Sequence, residues 1–243
     1  MQQTVIIKSR FNGPPESGNG GYVCGLLASM FEGGAEASLR IPPPLDVELM
    51  LSRDGDTATL MHGDVLVGTA TAKICDLAVP ALPKPLELGI NPVDAPDAPG
   101  AFRPFDSCFV CGEGRYHGDG LCIHSKQVKG HEGMVAAPWK LFEGLADTDG
   151  NVASVYMWSA LDCPGYFACA PGEAALLARL TAEVVAPLKA DGEATVIAWD
   201  MAEPGIEKGR KRRCGSAVYA ADGTLAAKAE GLWITIDPSK LKA

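Results

Sequence analysis

The 243-residue sequence predicts an α+β fold of two repeats, each a curved antiparallel sheet wrapped around one buried helix. Three observations predict it. A glycine-rich bend opens into a helix that is apolar around nearly its whole circumference, the mark of a helix buried on all sides. Four β-prone runs follow, separated by glycine turns. The second half then gives the same order of strand, apolar helix and four strands, which is the ground for an internal duplication.

In chain order, residues 4–11 (TVIIKSRF) are β-branched enough for a strand. Pro14, Pro15, Ser17, Gly18, Asn19, Gly20 and Gly21 then exclude regular structure. The helix follows, carrying Tyr22, Val23, Cys24, Leu26, Leu27, Met30 and Phe31. A glycine turn that opens into a helix leaves free N–H groups and the positive dipole end facing whatever the turn lines. Strands are expected at 37–41, 47–52, 57–61 and 65–77 as a meander, because Asp54-Gly55-Asp56 and His62-Gly63-Asp64 are hairpin turns. Residues 79–104 hold seven prolines and read as an extended connector, leading to a cysteine-containing segment at 105–124. In the second half, 133–139 is the incoming strand, 140–151 a loop and 155–170 one apolar helix. Strands at 174–186, 193–201, 210–220 and 224–236 are separated by Ala190-Asp191-Gly192, Glu203-Pro204-Gly205 and Ala221-Asp222-Gly223. The expected units are therefore 1–78, a connector with its cysteine loop at 79–125, and 126–243.

Composition narrows the function. With 47% hydrophobic residues the chain can bury a sizeable core, and a net charge of −9 gives no basic footprint for nucleic acid or an anionic membrane. No apolar run approaches the roughly 20 residues that cross a bilayer, and MQQTVIIKSRF lacks the features of a signal peptide, so a cytoplasmic protein is expected. Eight cysteines, several within apolar segments, read as reduced core residues rather than a disulfide framework.

The motifs FNGPP.SGNGGY, CFVCG, GDGL, VAAPW, ALDCPG and EGLWI, in that order, resemble a group of bacterial proteins related to the acyl-CoA thioesterases of the hot-dog superfamily. The resemblance implies a double hot-dog fold, with the helix as sausage and the sheet as bun. It implies an acyl-CoA or related thioester as partner, hydrolysed in a pocket between the two helices; a homodimer of the double unit is compatible with it. The alternative is a double hot-dog protein that binds acyl-CoA or lipid without catalysis. Thioesterases of the phenylacetate type carry His-Gly-Gly where the helix begins and an acidic residue two turns on. This chain has Asn19-Gly20-Gly21 in its first helix and Ala160-Leu161-Asp162 in its second, so the two elements are split between the halves.

Asp162 is the leading catalytic candidate. A carboxylate inside an apolar helix is costly unless it is paired or faces a polar cavity, and burial would raise its pKa toward general-base use. The alternative is a cap or kink role before Pro164. Asn19, with the N–H groups of Gly20 and Gly21, would hold the oxyanion; it would also serve as a plain N-cap. Tyr22, Trp158 and Arg210 complete the substrate-binding candidates. Trp158, Tyr166 and Phe167 at helical spacing suit the core as well, and Lys208, Arg210, Lys211, Arg212 and Arg213 suit either CoA phosphates or a solvated face. Cys108-x2-Cys111-x5-His117-x4-Cys122 is one residue from a zinc-knuckle spacing. The acidic balance argues against that role, so no metal or cofactor is expected and the segment is read as a loop over the pocket mouth.

Overall fold

The computed structural model describes residues 1–95, 102–203 and 209–240; Pro204, Gly205 and Lys208 lie outside them. One sheet runs β1-β3-β4-β5-β2-β8-β11-β10-β9-β7-β6. Its strands are β1 (Gln2–Ile6), β2 (Ala35–Leu39), β3 (Glu48–Asp54), β4 (Thr57–His62), β5 (Val65–Ala72), β6 (Lys126–Gln127), β7 (Met134–Lys140), β8 (Ala175–Val184), β9 (Glu193–Asp200), β10 (Lys211–Ala220) and β11 (Leu225–Thr235). Every neighbouring pair is antiparallel.

The expected four-strand meander is corrected to three. Only β3, β4 and β5 follow one another across the sheet, whereas β2 pairs with β5 on the far side. The reason is the helix α1 (Gly20–Ala28), which crosses the sheet between β1 and β2 and delivers the chain to the opposite edge of that half. In the second half β8 likewise pairs with β11, and β2 meets β8 from Ala35–Ala182 to Ser38–Arg179, joining the halves into one sheet. The long strand expected to Leu77 stops at Ala72.

Helix α1 begins at an N-cap, Asn19, whose Oδ1 accepts the Tyr22 N–H at 2.9 Å. Its whole circumference is buried but for Gly20 and Leu26. The single helix expected at 155–170 is two, α2 (Ser154–Ala160) and α3 (Cys163–Cys169). Pro164 in the first turn of α3 has no N–H to continue α2, so the chain breaks at Leu161 and Asp162. Helices α1 and α2 pack closely because Gly21 and Gly25 present bare backbone to Trp158, Ser159 and Val155.

Residues of the connector lie on the outer face of the second half, where Val79, Leu82, Leu86 and Leu88 cover Met134, Ala136, Ile197, Ala217 and Tyr219. The Tyr219 hydroxyl donates to the Pro80 carbonyl at 2.8 Å. Among the described residues no helix is long and apolar enough to cross a membrane.

Candidate active site

The break between α2 and α3 is where chemistry collects. Asp162, 2% exposed, has backbone angles outside the helix and makes no cap bond within α3. Its side chain reaches the other half: Oδ2 accepts Asn19 Nδ2 at 2.9 Å and the Gly21 N–H at 2.8 Å. A carboxylate from the second half thus sits on the positive end of α1 in the first. Its other oxygen, Oδ1, is buried with no hydrogen-bond partner among the described residues. Burial raises the Asp162 pKa to about 7; the Gly21 N–H opposes the rise, the neighbouring Cys108 adds to it, and Asn19 opposes it again.

Asp162, Asn19 and Gly20 line a cavity of about 530 Å³. Its walls are largely apolar, with Leu39, Ile41, Phe105, Leu177, Trp233 and Ile236 among them. Hydrophobic ends of β2, β8 and β11 therefore meet the glycine-rich bend and the 102–111 loop around one buried carboxylate.

The other sequence-derived candidates divide. Gly21 touches Asp162 but its N–H is already committed there, as is the Asn19 amide, so the expected three-donor oxyanion pocket is reduced. Gly20, the first residue of α1, lines the cavity, and its N–H has no acceptor among the described residues. Tyr22 stacks on Phe11 at 4.2 Å within an aromatic group with Phe109 and Tyr156, away from the cavity wall. Trp158 is a core side chain of α2, 2% exposed, and does not line the cavity. Arg210 is exposed and donates from Nε to the Thr235 carbonyl at 3.2 Å, also off the wall. Arg210→Ala is accordingly expected to change the affinity of a ligand held in the cavity, measured by calorimetry, by no more than roughly a factor of two. A larger loss would return Arg210 to the site.

The four-ligand set with His117 and Cys122 is not assembled. The His117 ring packs on Phe142 at 5.1 Å, and the Cys122 thiol points to the Gly120 carbonyl. The intervening chain is drawn aside by Arg115, which binds Asp119, the Ser107 carbonyl and Asn12. Instead Cys108 and Cys111 meet Cys163, all three buried with their sulfurs within 4.8 Å of one another, and all three line the cavity beside Asp162. Hydrogen bonds from Cys111 and then Cys163 pull the Cys108 thiol well below its usual range, while those same bonds push Cys111 and Cys163 up. Sequence reasoning took Cys163 for a core residue. Its adjacency to Asp162, just before a helix-breaking proline, was the available signal.

No family model matches this sequence and no curated protein matches it. Solved structures do. A conserved protein of unknown function with a hot-dog fold from Alicyclobacillus acidocaldarius superposes with a TM-score of 0.59 at 12% identity, over 98% of this chain and 94% of that one. The tesB protein of Mycobacterium avium subspecies paratuberculosis gives 0.62 at 10% identity, over 97% and 93%. An acyl-CoA thioesterase II of Mycobacterium marinum gives 0.60 at 9% identity, over 98% and 94%. At these identities the likeness establishes the hot-dog fold.

Proposed function

We propose that the chain is a double hot-dog hydrolase of an acyl thioester, with coenzyme A as the thiol carrier. The duplication is supported by the strand order, which runs first, third, fourth, fifth, second in each half once β6 is set aside. The observation that carries the reaction is the link from Asp162 to Asn19 and Gly21 at the wall of an apolar cavity of about 530 Å³. That volume suits an acyl chain and its thioester head. Structural neighbours whose names are acyl-CoA thioesterase II and tesB protein support the same substrate class.

In this reading the Asp162 carboxylate takes a proton from water as that water attacks the thioester carbonyl. The carbonyl oxygen gains charge and is met by the Gly20 N–H at the positive end of α1. As the tetrahedral centre collapses, the C–S bond breaks and the proton passes to the departing sulfur.

Commitment of the Asn19 amide and the Gly21 N–H to Asp162 favours a second reading, a binding module in which this contact ties the halves together. An acyl-CoA panel of short to long chains separates the two. Release of free thiol from at least one member, detected with a chromogenic disulfide, is expected. Saturable binding with no thiol release from any member would leave the binding module instead.

A further inference from the structure

We propose that Cys108, Cys111 and Cys163 form a zinc site whose fourth coordination position opens into the cavity. The inference stands on the geometry of the sulfurs and does not depend on the hydrolytic reading.

The spacing is the first support. Thiolates about 2.3 Å from a tetrahedral zinc lie about 3.8 Å apart along each edge. Cys108 Sγ and Cys163 Sγ are 3.7 Å apart, and all three sulfurs fall within 4.8 Å of one another. The local fold is the second. Cys108-Phe109-Val110-Cys111-Gly112 closes a tight turn in which the Gly112 N–H donates to the Cys108 carbonyl at 2.9 Å. A Cβ at Gly112 would lie 2.2 Å from the Asp106 carbonyl and 2.6 Å from that of Cys108, so only glycine closes this turn. Asn19 Nδ2 approaches the Cys163 sulfur at 3.8 Å. The turn itself is pinned: Phe109 N–H to the Asn12 carbonyl, and the Phe109 and Val110 carbonyls to the N–H groups of Leu121 and Ile123, each at 2.8 Å.

Three thiolates bring the coordination to three, and the cavity provides the rest. All three cysteines line it, so water or a ligand atom completes the tetrahedron, the arrangement of catalytic rather than closed structural zinc sites. Asp162, with one buried oxygen unpartnered among the described residues, is beside the metal without belonging to the sulfur cluster. Binding replaces three S–H bonds by three S–Zn bonds and releases three protons to solvent.

The test is metal content. Protein purified without chelator from zinc-supplemented cells is expected to hold close to one zinc per chain by mass spectrometry. Cys108→Ser, Cys111→Ser and Cys163→Ser should each hold less than about a tenth of that, while Cys122→Ser keeps it. Should the serine variants fail to fold, wild-type protein stripped of metal and refilled with cobalt gives the same information. An intense sulfur-to-cobalt charge-transfer band in the near ultraviolet is expected, and its absence overturns the site. Wild-type protein with less than about a tenth of an equivalent of zinc, before and after incubation with excess zinc and desalting, overturns it too. So does a disulfide between any two of Cys108, Cys111 and Cys163, found by peptide mapping of protein denatured and alkylated without reductant.

Discussion

Asp162→Asn is expected to lower kcat for thioester hydrolysis by about 10²- to 10⁴-fold, with KM little changed and the melting curve close to that of the parent. The asparagine carbonyl has the shape and position of Oδ2, so it still accepts from Asn19 Nδ2 and the Gly21 N–H. What it cannot do is take a proton from water. The comparison with Asp162→Ala separates structure from chemistry, because alanine leaves two buried donors unpaired and costs about 1–3 kcal/mol for each, visible as a lower denaturation midpoint. A carboxylate that only ties α1 to α3 predicts the reverse pattern: Asp162→Asn active within tenfold of the parent, and Asp162→Ala unstable. Zinc content offers an independent readout, since Asp162 lies outside the sulfur cluster and Asp162→Asn should keep its metal.

Much of this arrangement was written locally in the chain. Proline and glycine around Ser17 and Asn19 marked the bend, and the unbroken apolar character of 22–31 marked a buried helix, because each signal acts over a few residues. The strand turns were legible for the same reason: Gly55, Gly63, Gly192 and Gly223 all take the positive φ that their turns require. The break in the second helix was also present, in Pro164, yet the apolar run around it hid the break. The position of β2 was not legible. Pairing with β5 and β8 rather than β3 depends on where α1 crosses the sheet, which no local pattern encodes. Cys163 illustrates the same limit at the site. It is 52 residues after Cys111, and only the packing of α3 against the 108–112 turn brings their sulfurs together. His117 and Cys122 were near in sequence and are apart in space.

The contact from Asp162 to Asn19 exists only while α1 and α2 stay close, and Gly21 sets that closeness. Gly21→Val is expected to destabilise the fold by about 3 kcal/mol or more in chemical denaturation, with Gly21→Ala losing about 1–3 kcal/mol. A Cβ at residue 21 would lie 2.6 Å from the Trp158 carbonyl oxygen and 2.6 Å from Asp162 Cβ, with Ser159 Cα at 3.0 Å. Two of these three neighbours are backbone atoms of α2, which cannot rotate out of the way. Alanine's better helix propensity returns about 1 kcal/mol at most, so crowding decides the sign. Gly25→Ala should follow the same course, because its Cβ would meet Val155 Cα at 2.9 Å and Trp158 Cβ at 3.0 Å. Gly209→Ala is the control: no atom of the described residues lies within 4 Å of its added Cβ, and its stability should match the parent. Since relief of the clash moves α1 away from Asp162, Gly21→Ala should also lose thioester turnover in conditions where it remains folded. A Gly21→Ala protein as stable as the Gly209→Ala control would mean that the helices part at no cost, and that their contact does not hold Asp162 against Asn19.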